Sequence, residues 1–360
     1  MFPDTIINDR YQLKNIISSG GMGEVWEATD IVLKRSVAIK TVRPDYLKEN
    51  PKAISVFLDE ASTSATLIGH PNIVSVLDIG NYVNESSGTQ THYIVMEFVK
   101  GITLQQWITN VKPILNDTTY YYISLFIALE LCKAIDYTHR EGIFHRDIKP
   151  LNVFLSSNYG ITKVGDFGLA RFIDAVTRTH TVNTGMSPAY AAPEQWKGGK
   201  FVKATDVYQL ACTIFHLVTG TIPFNHNGMY ALMNAHINEI PPKPHEINPL
   251  IPTDLSEKIS MALSKEDIDR PVLWEMHDEI AKEVQKTFKL SVTLKGLSDE
   301  NRKLVHKITN FNIDDSKDVA SFNFPDFSEP LSESIQLILA GITDINIVKV
   351  EETKEAVTTS

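Results

Sequence analysis

Asp147, Lys149 and Asn152 fall in one short segment, His145-Arg146-Asp147-Ile148-Lys149-Pro150-Leu151-Asn152. An apolar run, Val153-Phe154-Leu155, follows, and further on comes Asp166-Phe167-Gly168. A carboxylate, an ammonium and an amide on one loop suit the movement of a phosphoryl group to a hydroxyl. The first is a base for the hydroxyl proton, the second a cation for the phosphate, the third an oxygen ligand for magnesium. Asp166 offers a second hard oxygen ligand, and the strand-loop-strand run between the motifs is expected to return it to the same cleft.

With both motifs whole and in order, the sequence resembles the eukaryotic-type protein kinase family. The upstream residues extend the likeness. Residues 10–17 read as a strand that runs into Ser18-Ser19-Gly20-Gly21-Met22-Gly23-Glu24-Val25, a glycine-rich turn whose backbone can approach phosphate. That run is most similar to the bacterial Ser/Thr members, although Ser18 stands where the usual first glycine falls. Val37-Ala38-Ile39-Lys40 is an apolar strand ending in a lysine, and residues 51–68 carry helical apolar spacing with Glu60 inside it.

The resemblance implies a fold and a site. The fold is α+β and bilobal, a protein kinase domain over 8–285 with a small β-rich N-lobe (8–98) and a large, mostly helical C-lobe (99–285). Asp147, Lys149, Lys40 and Glu60 would be catalytic, with Asp59 the rival of Glu60 as partner for Lys40, and Asn152 and Asp166 would bind the metal. The nucleotide would lie against Ile17, Gly20, Gly23, Val25, Ala38, Lys40 and Phe154, with backbone groups of Glu97 and Val99 at the adenine edge and Met96 behind it. ATP and Mg2+ are the implied cofactors.

Residues 169–193 form a long threonine-rich segment that ends in Ala192-Pro193-Glu194. Ser187, in Met186-Ser187-Pro188-Ala189-Tyr190, points to Ser/Thr substrates, and Thr179 and Thr181 are the expected phosphosites, with Arg146 supplying a cationic pocket. Asp206 is expected to hold the catalytic-loop backbone, and Arg270 to pair with Glu194. The function implied is transfer of the γ-phosphate of ATP to Ser/Thr hydroxyls of proteins, the chain itself included. The alternative, a pseudokinase or ATP-sensing scaffold, has only Ser18 in its favour, since Asp147, Asn152 and Asp166 are all kept.

Composition narrows the partners. A formal net charge of -10 over 360 residues argues against broad nucleic-acid binding, and no Lys/Arg block marks a membrane surface. No segment reaches the length of apolar residues a membrane span needs, and the first residues lack a signal-peptide pattern, so a cytoplasmic location is expected. Cys132 and Cys212 lie in apolar helical patterns and read as buried thiols. The expected partners are therefore protein substrates bearing Ser/Thr, with self-association for trans-autophosphorylation, and neither nucleic acid nor membrane.

Residues 286–360 lie outside the likeness. Phe288, Leu290, Val292 and Leu294 alternate with polar residues, as do Ala320, Phe322 and Phe324, and Ile345, Ile347 and Val350 suggest a last strand. Helical patterns start at Ser298 and run over 331–340, while Asp314-Asp315 reads as a solvated turn. The expectation is a small α/β C-terminal module of the βαβαβ kind.

Overall fold

In the computed structural model the residues described are 2–20, 23–49, 53–83, 88–113, 115, 117–157, 161–166 and 188–284, together with the strand backbones at 288–293, 312–314, 319–324 and 346–352. The first lobe is an antiparallel sheet in the order β1-β2-β3-β4-β6-β5. Its strands are β1 (Ile6–Ile7), β2 (Tyr11–Ser19), β3 (Gly23–Asp30), β4 (Arg35–Val42), β5 (Val76–Val83) and β6 (Gln90–Glu97). Strand period decides which side chains face the site. Val37 and Ile39 point into an apolar cluster with Tyr11, Leu13, Trp26 and Val95. Ala38 and Lys40 point the other way, opposite Met96 and Ile94 in the β4–β6 register.

Two helices follow β4, α1 (Pro44–Glu49) and α2 (Ala53–Ala65). Helix α2 buries Phe57 and Ala61 against Val42, Val76 and Ile94 on the Lys40 side of the sheet. The next strand of this sheet, β5, starts only at Val76. Residues 72–74 are taken by the other lobe: Ile73 forms an isolated parallel bridge with Val164, with Val74 N–H on the Val164 carbonyl at 2.9 Å.

The second lobe is helical. A short strand β7 (Gly101–Thr103) leads into α3 (Leu104–Gln106), capped reciprocally by Thr103 and Gln106. That helix widens into a π turn at Trp107–Val111, where Trp107 and Ile108 are buried. Helix α4 (Asp117–Arg140) is the core's long axis, with Asp117 in its first turn and His139 and Arg140 in its last, in keeping with the helix dipole. Strands β8 (Val153–Ser156) and β9 (Thr162–Val164) complete a three-stranded sheet with β7.

The remaining helices are α5 (Pro193–Trp196), α6 (Lys203–Thr219), α7 (Met229–Asn238), α8 (Pro244–Ile247), α9 (Thr253–Ala262) and α10 (Leu273–Val284). Helix α6 is apolar almost all round and correspondingly buried, and it ends at Gly220 with φ 79°, the left-handed conformation that suits glycine. Cys132 and Cys212 are buried free thiols.

Beyond α10, strands β10 (Phe288–Thr293), β11 (Asn312–Asp314), β12 (Val319–Phe324) and β13 (Asn346–Glu352) form an antiparallel sheet in the order β11-β12-β10-β13. Strands occupy the three alternating segments noted in the sequence. The fourth, β11, was not anticipated, and it places Asp314 in a strand, not a turn; three residues are too few to show a period. The segments 298–300 and 331–340, where helices were expected, lie outside the described residues.

The C-lobe is locked by a buried ion pair. Arg270 grips both oxygens of Glu194, Nη1 to Oε1 at 2.7 Å and Nη2 to Oε2 at 2.8 Å, and also donates to the Ser264 and Ala204 carbonyls. Burial alone would raise the Glu194 carboxyl, but Arg270 and the Thr205 hydroxyl hold it below its ordinary range. Removing one member of such a pair leaves an uncompensated buried charge. Arg270→Met is therefore expected to lower unfolding stability by about 3–5 kcal/mol. Urea titration followed by circular dichroism measures this, and an unchanged midpoint would show that the pair is dispensable.

Candidate active site

The loop 145–152 is shaped by buried groups beneath it. Both oxygens of Asp206, fully buried on α6, take backbone amides: His145 N–H at 2.9 Å on Oδ2 and Arg146 N–H at 2.7 Å on Oδ1. His139 Nε2 lies 2.8 Å from Oδ2. One turn along α6, Gln209 accepts the Ile148 amide at 2.9 Å and donates to the Arg146 carbonyl at 2.8 Å. Thr213 donates to the Ile148 carbonyl at 3.4 Å. The spacing 206, 209, 213 puts all three on one helical face. Asp206 was foreseen in the sequence; Gln209 and Thr213 were not, and the polar stripe in an otherwise apolar helix is the signal that would have found them.

These anchors hold Arg146 at φ 71°, a conformation non-glycine residues seldom adopt. His145 is fully buried, with Nε2 2.9 Å from the Gly165 carbonyl; burial depresses its pKa against the pull of Asp206 and Asp147. The turn brings Asp147, Lys149 and Asn152 together. Lys149 Nζ donates to Asp147 Oδ2 at 2.6 Å, and the Asn152 amide nitrogen donates to the same oxygen at 3.1 Å and to the Asp147 carbonyl at 2.8 Å. The Asn152 amide oxygen is left as the acceptor atom of that side chain.

Asp166 comes from the turn after β9, at φ 60°. Gly165 ties it to the loop, its N–H on the Asn152 carbonyl at 2.9 Å. Lys40 reaches across from β4 to Asp166, Nζ to Oδ1 2.7 Å. Burial would raise the Asp166 carboxyl, but the Lys40 charge and hydrogen bond, with help from His145 and Lys149, hold it below its ordinary range. Lys40 thus has Asp166 as a partner; Glu60, its expected partner, lies on α2, with its side chain outside the described residues. Behind Lys40 a cavity of about 30 Å³ is bounded by Phe57, Ala61, Met96 and Asp166.

The residues expected against a nucleotide come from both sheets. Val25 pairs with Lys40, and Ala38 with Met96, while Phe154 lies on β8 and Ile17 is half exposed on β2. Glycine is needed at only one of the two described loop positions. A Cβ at Gly23 would collide with the Thr41 carbonyl, whereas Gly20 has open space and closes the turn through its N–H to the Gly23 carbonyl at 2.9 Å. Ser18 pairs with Val25 inside the β2–β3 ladder, so its side chain replaces a glycine at a strand position. Glu97 N–H is spent on the Ser75 carbonyl at 2.9 Å. Arg146 stacks 5.3 Å from the Phe201 ring. Phe167, Gly168, Thr179, Thr181 and Ser187 lie outside the described residues.

The donor set suits a hard, oxygen-seeking ion. Among the described residues no group of three or more His, Cys, Asp or Glu side chains could hold a metal unaided. One carboxylate, from Asp166, and one amide oxygen, from Asn152, are ligands of the kind a magnesium ion takes when substrate phosphates complete its shell.

Two lobes, a lysine from a strand of one and a loop carrying Asp147, Lys149 and Asn152 on the other form a cleft that brings together the group types phosphoryl transfer calls on. The family profile described as "Protein kinase domain" matches residues 11–315, and the chain belongs to that family. Serine/threonine-protein kinase PrkC of Bacillus subtilis is 36% identical over 282 residues, 78% of this chain and 41% of that protein. Serine/threonine-protein kinase PknB of Mycobacterium leprae is 36% identical over 265 residues, 73% of this chain and 41% of that protein. The chain thus spans about two fifths of the length of these curated relatives. The crystal structure of the Mycobacterium tuberculosis PknI kinase domain superposes with a TM-score of 0.58 at 25% identity, covering 79% of this chain and 98% of that one.

Proposed function

We propose that the chain is an active serine/threonine protein kinase, transferring the γ-phosphoryl group of ATP to Ser/Thr hydroxyls of proteins. The carrying observation is the convergence of Lys149, Asn152 and the Asp147 carboxylate opposite the Lys40–Asp166 pair. Asp147 orients the acceptor hydroxyl and takes its proton as the new O–P bond forms and the bond from Pγ to the β-phosphate bridging oxygen breaks. Lys149 balances charge on the transferring group, and Lys40 holds the α- and β-phosphates in line. Magnesium, when bound by Asn152 and Asp166, supplies charge neutralisation to the phosphates. With its N–H already engaged, Glu97 presents its carbonyl to adenine, and Val99 supplies the second backbone group. Asp147→Ala or Lys40→Met should lower phosphate transfer by ~10²-fold or more while circular dichroism stays unchanged, because positioning and charge stabilisation make up most of this catalysis. Comparable turnover by Asp147→Ala would overturn the mechanism.

Thr179 and Thr181 are proposed as autophosphorylation sites. Each phosphate adds roughly -1.5 to -2 charge, and Arg146, in the preceding loop, is the cation suited to receive it. Phosphopeptide mapping after incubation with ATP and magnesium should find one or both modified, with kinase activity rising in step. Modification confined to other residues in the active protein would remove these two from the scheme.

Residues 286–360 are proposed to be a separate regulatory or protein-binding module, with the kinase domain closing at α10. The catalytic and structural anchors, Gly20 to Arg270, all precede it. Among the described residues no helix is long and apolar enough to cross a membrane. A chain ending near residue 285 is expected to keep autophosphorylation and to change in regulation or target choice, read in the same assay as the full chain. A truncated protein that folds but has no activity would show that the sheet completes the catalytic domain.

A further inference from the structure

The strand pleat sends the Glu97 side chain to the face opposite Met96, away from the Lys40–Asp166 cleft. There its Oε2 meets Lys163 Nζ at 3.1 Å and lies 3.4 Å from the Ser75 amide. Lys163, from β9, is more than nine-tenths buried, its side chain 7% exposed. The pair lines a crevice of about 600 Å³ to which Arg35, His70 and Lys100 also contribute. His70 lines a second cavity as well, of about 370 Å³, with Lys133, Tyr137, Arg140 and Trp274. The two therefore adjoin at one residue, and both fall within or near the size range of ligand sites.

The charges along this run do not cancel. Lys163 is matched by Glu97 and Arg140 by Asp136 at 2.6 Å, but no ion pair among the described residues engages Arg35, Lys100 or Lys133. This excess of cations lies on a chain whose formal net charge is -10. Concave walls concentrate such a field on whatever anion enters. Between the charged positions are flat apolar surfaces, His70 stacked on Tyr137 at 4.5 Å and Trp274 on His277 at 4.7 Å. Two cavities that share His70 as a lining residue, with cations spaced along them and rings between, match an extended chain better than a compact anion.

We propose that this run behind residues 97–100, which connect the two lobes as a hinge, is a docking groove for an acidic peptide segment of a partner protein, with Arg35, Lys100 and Lys133 meeting its carboxylates and His70 and Trp274 its backbone and apolar side chains. On the kinase reading the groove would hold a substrate or regulator while the cleft acts elsewhere on it. The binding itself does not depend on that reading.

The test uses the full chain and a fluorescein-labelled octaglutamate peptide, with fluorescence anisotropy read at low and physiological ionic strength. Saturable binding is expected, weakened by salt and by about tenfold or more in Arg35→Glu/Lys100→Glu. Lys133→Glu should weaken it separately, whereas Lys14→Glu/Lys243→Glu, the same charge change elsewhere, should leave it intact. The substituted side chains are exposed or sit at the groove rim, and unchanged melting curves would confirm that the variants fold. Saturating ATP should not displace the peptide, because the groove and the nucleotide face lie on opposite sides of β6. Absence of saturable binding, equal weakening by both double variants, or displacement by ATP would each overturn the proposal. So would a single-stranded oligonucleotide of equal charge that bound as tightly, since the site would then not select a peptide.

Discussion

The Asp206 carboxylate is the constraint on which the site rests. A charge with no exposure costs several kcal/mol unless its oxygens are fully engaged. Here the His145 and Arg146 amides and the His139 ring fill both oxygens. The arrangement works in both directions. Asp206 gains donors that offset its lost hydration, and the loop gains a fixed template that keeps Arg146 in the left-handed region, where a free chain would seldom hold it. Asp147 is the next residue. Its carboxylate is aimed by a backbone that α6 has already fixed, so Lys149 and Asn152 need only hold the side chain.

The second joint lies between the lobes. Residues 72–74 leave α2 and, instead of entering the first-lobe sheet, bond to β9: Val164 N–H to the Asn72 carbonyl at 2.8 Å, Val74 N–H to the Val164 carbonyl at 2.9 Å, and the Asn72 side chain to the Thr162 carbonyl at 2.9 Å. The connector of one lobe is thus pinned to the strand that ends at Asp166. The Lys40–Asp166 pair spans the same gap on the cleft side, and Glu97–Lys163 spans it behind. Three short polar links cross the hinge region, all converging on 162–166. Motion of the first lobe that stretched any of them would be felt at Asp166.

Much of this was legible in the sequence, because the site is built from residues that also form local motifs. Lys40 follows the apolar run Val37-Ala38-Ile39 in β4, Asp147 to Asn152 form a contiguous loop, and Arg270 found Glu194 by resemblance. What was not legible depends on long-range partners. The bridge of Ile73 to Val164 involves a single pair and leaves no period. The role of Gln209 depends on which face of α6 meets the loop, and the π turn at Trp107–Val111 lies within a pattern that reads as ordinary helix. The glycine-rich turn divides the same way. Gly20 and Gly23 were both read as nucleotide contacts, but among the described positions only Gly23 is forced to be glycine, by a carbonyl on the neighbouring strand.

Charge placement ties these features together. The chain has 44 acidic residues against 34 Lys and Arg, so an average surface is negative and repels both nucleotide and acidic partners. Favourable encounter with an anion then requires local reversals of sign. One place an anion can enter is the cleft, where Lys40 and Lys149 already sit beside Asp166 and Asp147, one cation to one carboxylate, so that an entering phosphate oxygen would replace one oxyanion partner by another. The other is the rear groove, where Lys163 is already matched and the surrounding cations are not. Because Glu97 separates the two regions, with its backbone at the hinge and its carboxylate behind it, neither field is simply the back of the other. A negative background with one charge-balanced cleft and one cation-rich groove distinguishes two kinds of anion by place, which a uniformly basic surface could not do.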